Sequence, residues 1–139
     1  MYAAVVYFSR TGNTKKLAEG IAAVAQAQLF DMAATLPSSI EDFDLLILGT
    51  PVEGASPSKE AMAFITNMNR VEGKKAMVFC TYRLFGNSRT NKALEKALKA
   101  KGYETILGVS KKVKPKQEPD FSEQVAEVKK QLEKLQKAK

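Results

Sequence analysis

Apolar residues in this chain fall into short unbroken runs, separated by segments where they recur every three or four positions. The first run, Tyr2 to Phe8, is almost wholly apolar, as suits a strand buried on both faces. Similar runs lie at Gln28–Met32, Asp44–Gly49, Ala76–Thr81 and Tyr103–Gly108. Between them the period changes. Leu17, Ile21 and Val24 share one face of a helix that follows the first run. A helix is predicted over Ser58–Asn69, entered at Pro57, and another over Ser88–Lys101, stopped by Gly102. The last helix is predicted to start at Asp120, with Glu123 completing a capping box. It presents Phe121, Val125, Val128, Leu132 and Leu135 as one stripe. Ala33–Phe43 reads as a loop or a short helix. Five strands alternating with helices, the middle strands apolar throughout, imply an α/β fold whose parallel sheet is covered on both faces. No repeat or linker divides the 139 residues, so a single domain over 1–139 is expected.

The first strand-to-helix turn carries the clearest chemistry. Ser9-Arg10-Thr11-Gly12-Asn13-Thr14 joins a buried strand to an amphipathic helix. Backbone N–H groups at such a helix start point toward a bound anion, and the helix dipole favours its charge by about 0.3–1 kcal/mol. Ser9, Thr11, Asn13 and Thr14 add four short side chains able to donate to phosphate oxygens. An ordinary helix cap needs only one such residue. Neither G-x-x-x-x-G-K-[ST] nor G-x-G-x-x-G is present, since Gly12 stands alone in the loop.

Composition narrows the chemistry further. The chain has no histidine, which removes histidine general bases, Ser-His-Asp and Cys-His arrangements and most zinc sites. Reactive chemistry is therefore expected from a cofactor. No apolar run is long enough to span a membrane, and no leader pattern stands at Met1. The lone Cys80 cannot form an intramolecular disulfide, so a reducing, cytoplasmic setting is expected. Its residue type and place fit a small apolar side chain closing a buried strand.

In sheets of this kind ligands sit outside the carboxyl ends of the strands, where the winding direction reverses. Two further loops should therefore converge on Ser9–Thr14. One reads Thr50-Pro51-Val52-Glu53-Gly54-Ala55-Ser56-Pro57-Ser58, and the other Thr81-Tyr82-Arg83-Leu84-Phe85-Gly86-Asn87. Both carry glycine and apolar or aromatic residues, which suits a flat ring between them. Tyr82, Leu84 and Phe85 should lie exposed unless something covers them.

Ser9-x-Thr11-Gly12-Asn13-Thr14 resembles the phosphate loop of flavodoxins, and the likeness extends over the whole chain. The resemblance implies a flavodoxin-like three-layer sandwich with a five-stranded parallel sheet in the order 2-1-3-4-5. It also implies FMN as cofactor. Ser9, Arg10, Thr11, Gly12, Asn13 and Thr14 would surround the phosphate. Pro51, Val52, Glu53, Gly54 and Ala55 would line one face of the ring, and Thr81, Tyr82, Arg83, Leu84, Phe85 and Gly86 the other. Gly54 falls where the family has a glycine whose peptide turns toward the reduced ring, a turn that needs positive φ. No catalytic side chain and no metal ligand is expected.

Two features depart from that pattern. Glu53 stands where flavodoxins often carry an aromatic or methionine, and Ala55 where they carry an acid. One stacking face is thereby weakened, at about 0.5–1.5 kcal/mol. The second departure is charge: 22 Lys+Arg against 15 Asp+Glu give +7, where flavodoxins are commonly acidic. Arg10, Lys59, Arg83 and Arg89 lie in or beside the three loops. A unit charge about 8 Å from the ring at an effective dielectric of about 20 is worth roughly 2 kcal/mol. With about 59 mV per tenfold in binding, a positive rim raises the lower flavin potential by several tens of millivolts.

From Lys99 onward 11 lysines face 6 acids, but on the last helix lysines alternate with glutamates, as on a solvated surface. Neither nucleic acid nor membrane is expected as a partner, whereas acidic redox proteins are, because complementary charge speeds transient docking. The reading is an FMN electron carrier, monomeric or weakly dimeric. The alternative is a small FMN-dependent NAD(P)H:quinone oxidoreductase, whose substrate cavity only the third loop could supply. A cofactor-free signalling or phosphatase module lacks its acidic cluster or its loop cysteine.

Overall fold

The computed structural model describes residues 2–138. Strand β1 (Ala3–Tyr7) leads into α1 (Asn13–Ala25), then β2 (Gln28–Asp31), two short 3₁₀ turns, β3 (Leu45–Glu53) and a two-residue β4 (Ser56–Pro57). Then come α2 (Lys59–Thr66), β5 (Lys74–Tyr82), α3 (Asn87–Lys99), β6 (Tyr103–Lys112) and α4 (Ser122–Lys137). The main path of the sheet runs β2-β1-β3-β5-β6, all parallel, while β4 folds back antiparallel on the end of β3. Setting that small hairpin aside, the order is the 2-1-3-4-5 anticipated from the sequence. The reversal of winding between β1 and β3 puts the ends of β1, β3 and β5 side by side, with Tyr7 opposite Gly49 and Pro51 opposite Thr81.

Alternation along the strands divides the core in two. Ala4, Val6, Leu46, Leu48, Ala76 and Val78 point to α2 and α3, where they meet Phe64, Ile65, Leu94 and Leu98. Their neighbours Val5, Tyr7, Leu45, Ile47, Met77 and Phe79 point to α1 and α4, meeting Leu17, Ile21 and Val128. Burying each large aliphatic side chain is worth about 1.5–3 kcal/mol, so this double-sided core holds the strand ends that shape the site. The stripe Phe121, Val125, Leu132 and Leu135 packs on the second face as its spacing requires.

Boundaries shift where caps compete. α4 begins at Ser122, with Phe121 as its cap, because the Asp120 carboxylate accepts the N–H of Ser122 and closes a turn before the helix; no capping box forms. Helix α2 starts one residue late because Ser58 is its N-cap, taking the N–H of Ala61 on its hydroxyl. α3 spans Asn87–Lys99, and Gly102 lies past its end at φ +95°. Ala33–Phe43 contributes to both 3₁₀ turns, Met32–Ala34 and Pro37–Ile40. Three strands outrun their apolar runs: β3 reaches Glu53, β5 Tyr82 and β6 Lys112.

Candidate functional site

The loop after β1 is organised by one hydroxyl. Ser9 Oγ accepts the N–H groups of Gly12 (3.1 Å) and Lys15 (3.2 Å), folding the loop back onto the start of α1. Gly12, the N-cap, has φ +100° and offers no side chain to the helix. The N–H groups of Thr11, Asn13 and Thr14 make no hydrogen bond among the described residues. These are the orphan donors that a helix start aims at an anion. Thr14 itself is buried, and its hydroxyl is 2.8 Å from that of Thr81, tying the first loop to the end of β5.

The second loop is a hairpin. Ser58 donates its N–H to Thr50 Oγ1 (3.0 Å), and the Thr50 hydroxyl donates to the Pro51 carbonyl (2.9 Å). Val52 pairs with Pro57 and Glu53 with Ser56, leaving Gly54 and Ala55 as a two-residue turn. Both have positive φ, +60° and +62°, the feature of a type I′ hairpin turn. The third loop presses on this turn at Gly86, whose φ is +97°. A Cβ there would sit 2.7 Å from Ala55 Cα, so only glycine fits.

These loops enclose an open cavity of about 430 Å³. Arg10, Thr11 and Asn13 line it from the first loop; Pro51, Val52 and Glu53 from the second; Thr81, Tyr82 and Arg83 from the third. Ser9, Gly12, Thr14, Gly54, Ala55 and Gly86, also expected at the cofactor, are not part of that lining but shape the loops that carry it. Leu84 (77% exposed) and Phe85 (70%), expected on one face of the ring, instead project to solvent outside the cavity lining.

A fourth wall, Val113 to Gln117, is absent from the sequence reading. It is placed by the parallel register of Tyr82 with Lys112, and by the Val113 N–H on the Tyr82 carbonyl (2.7 Å). An apolar Val113 inside a lysine run was the available signal. Cys80 is fully buried; burial pushes its thiol up to about 12, and its Sγ faces the Asn87 carbonyl at 3.7 Å.

The charges differ from expectation: Lys59 and Arg89 do not line the cavity, and Arg10 is paired. Arg10 does not contribute a free positive charge. Its guanidinium donates to both oxygens of Glu53 (2.5 and 2.9 Å) and to Glu60 (2.9 Å), and lies 4.8 Å from the centre of the Phe8 ring. These bonds, to Glu53 first, raise its pKa; Glu60 is held below the carboxylate range by its own backbone N–H and then by Arg10. The positive lining comes instead from Arg83, Lys114 and Lys116, which form no ion pair among the described residues.

Similarity to known proteins agrees with this arrangement. Residues 4–109 match the family model for a flavodoxin domain. An uncharacterized protein of Methanocaldococcus jannaschii is 33% identical over 97 residues, covering 69% of this chain. The aligned part spans only 63% of that relative's length. The flavodoxin of Streptococcus pneumonia TIGR4 has the same fold, with a TM-score of 0.82 at 17% identity and full coverage of both chains. Two-electron reduced Megasphaera elsdenii flavodoxin superposes at 0.74 and 23% identity, covering 92% of this chain and 98% of its own. Rubredoxin oxygen:oxidoreductase from Desulfovibrio gigas reaches 0.83 at 19% identity, with 99% of this chain matching 36% of that one. By the family match and the strand–loop–helix geometry together, the chain belongs to the flavodoxin family.

Proposed function

We propose that this protein is an FMN-dependent electron carrier that exchanges electrons with acidic redox proteins. The supporting observation is the convergence of an anion cradle and two ring-sized loops on one cavity. Orphan amides of Thr11, Asn13 and Thr14 lie at the start of a 13-residue helix, and the cavity of about 430 Å³ is within the range that holds a small molecule. These residues fit FMN. When bound, FMN supplies one-electron and two-electron redox chemistry. The first-loop amides and the side chains of Thr11 and Asn13 hold the phosphate. Pro51 to Glu53 and Thr81 to Arg83 flank the ring and limit its contact with water. Arg83, Lys114 and Lys116 favour the anionic reduced cofactor electrostatically, so the lower flavin potential lies above that of acidic flavodoxins.

Carrier function is favoured over reductase function because the third loop is short and holds Leu84 and Phe85 outward, walling no substrate pocket beside the cavity. That apolar tip, beside cations that form no ion pair among the described residues, fits an acidic partner with an apolar centre. The carrier works as a monomer or weak dimer in the cytoplasm. The test is electron transfer from the reduced protein to acidic and basic acceptor proteins of similar potential. Faster reaction with the acidic acceptor, diminishing with salt, is expected. Rapid NAD(P)H oxidation by quinone with no partner protein would favour the reductase instead.

A further inference from the structure

We infer that Arg10 is a positioning residue that clasps the ring-side hairpin, although it lies inside the phosphate loop. The inference rests on the flavin reading above. Arg10 Nε and Nη2 donate to the two oxygens of Glu53, and Nη2 donates also to Glu60. Glu53 is the last residue of β3 before the Gly54–Ala55 turn, Glu60 lies in the first turn of α2, and Phe8 beneath the guanidinium follows β1. One side chain thus links three elements across sequence separations of 43 and 50 residues. A planar fork with donors in fixed directions suits this task, which lysine could not perform.

Besides the Gly86 contact on its turn, the hairpin has little of its own to hold it. Its second strand has two residues, Gly54 is exposed, and Ala55 holds φ +62° against the preference of a residue with a Cβ. The first loop needs no outside support, because Ser9 Oγ already gathers the N–H groups of Gly12 and Lys15. Removing the Arg10 guanidinium therefore loosens the wall beside the ring and leaves the phosphate cradle formed. A phosphate contact would have to use Nη1, which has no partner among the described residues, and the two roles separate by ligand.

The experiment titrates ligand-free wild type, Arg10→Gln, Glu53→Gln and the double variant with FMN and with riboflavin, which lacks the phosphate. It also follows hydrogen exchange of residues 53–56 without ligand. Arg10→Gln should weaken both ligands by the same factor, about three- to tenfold for a bidentate surface pair. Glu53→Gln should weaken both ligands equally too, by no more than Arg10→Gln does because the Glu60 bond remains, and the double variant should be no worse than Arg10→Gln alone, since the shared Arg10–Glu53 bond is already broken there. Exchange at 53–56 should quicken in both single variants. Loss of FMN affinity with riboflavin unchanged, additive losses, or unchanged exchange would overturn the clasp. Wild type binding neither ligand would defeat the flavin reading, while exchange in the ligand-free variants would still decide the clasp.

Discussion

The loops after β1 and β5 lie side by side at one end of the sheet but are held in different ways. In the first, a single hydroxyl takes two backbone N–H groups from within six residues, and the orphan amides are left aimed outward. In the second, the ends are anchored at Tyr82 and Gly86, while Leu84 and Phe85 between them stand in water. The first loop is preorganised for a small anion before any ligand arrives, so little ordering cost accompanies binding. The second keeps the apolar surface of Leu84 and Phe85 exposed. On the proposed reading, holding and docking fall to different loops.

Gly86 is where the ring-side loops touch, so changing it should have the largest effect. Gly86→Ala places a Cβ 2.7 Å from Ala55 Cα at φ +97°, and should cost about 2–4 kcal/mol in urea unfolding. Next comes the link between the first and third loops. Thr14→Val leaves the buried Thr81 hydroxyl without its partner, at about 1–3 kcal/mol. Pairing it with Thr81→Val should recover part of that stability, which a pure phosphate-ligand role for Thr14 would not produce.

A smaller effect sharpens the electrostatic side. Reversing Arg83, Lys114 and Lys116 to Glu should lower the lower flavin potential by tens of millivolts at low salt, and by less as salt rises, in a redox titration. Least of all should be the stability change on Leu84→Ser with Phe85→Ser, within about 0.5 kcal/mol because both side chains are already exposed. The same double variant should slow electron transfer to an acidic protein acceptor without altering FMN affinity. Equal slowing toward a small inorganic oxidant would show that docking is not what these residues do.

The contrast between the two loops also explains what was legible in the sequence. Strand, Ser9–Thr14 loop and helix are consecutive, and the bonds that fold the loop stay within it, so composition and spacing were enough. Sheet order followed from the family resemblance, and the covering of both sheet faces from the unbroken apolar runs of β1, β3 and β5. The Arg10 clasp was not legible, because its partners are 43 and 50 residues away and Glu53 alone reads as a missing aromatic. The 113–117 wall was hidden for the same reason, since β6 had to run past its apolar part to Lys112 in register with Tyr82. The missed capping box failed locally: Asp120 satisfied Ser122 rather than the helix three residues on.

The most direct measurement is titration of the ligand-free protein with FMN, followed by quenching of flavin fluorescence. One equivalent of FMN should bind, and riboflavin should bind more weakly by the contribution of the phosphate on the Thr11, Asn13 and Thr14 amides. A protein that leaves FMN fluorescence unchanged at micromolar concentrations would contradict the assignment of this cavity to a flavin.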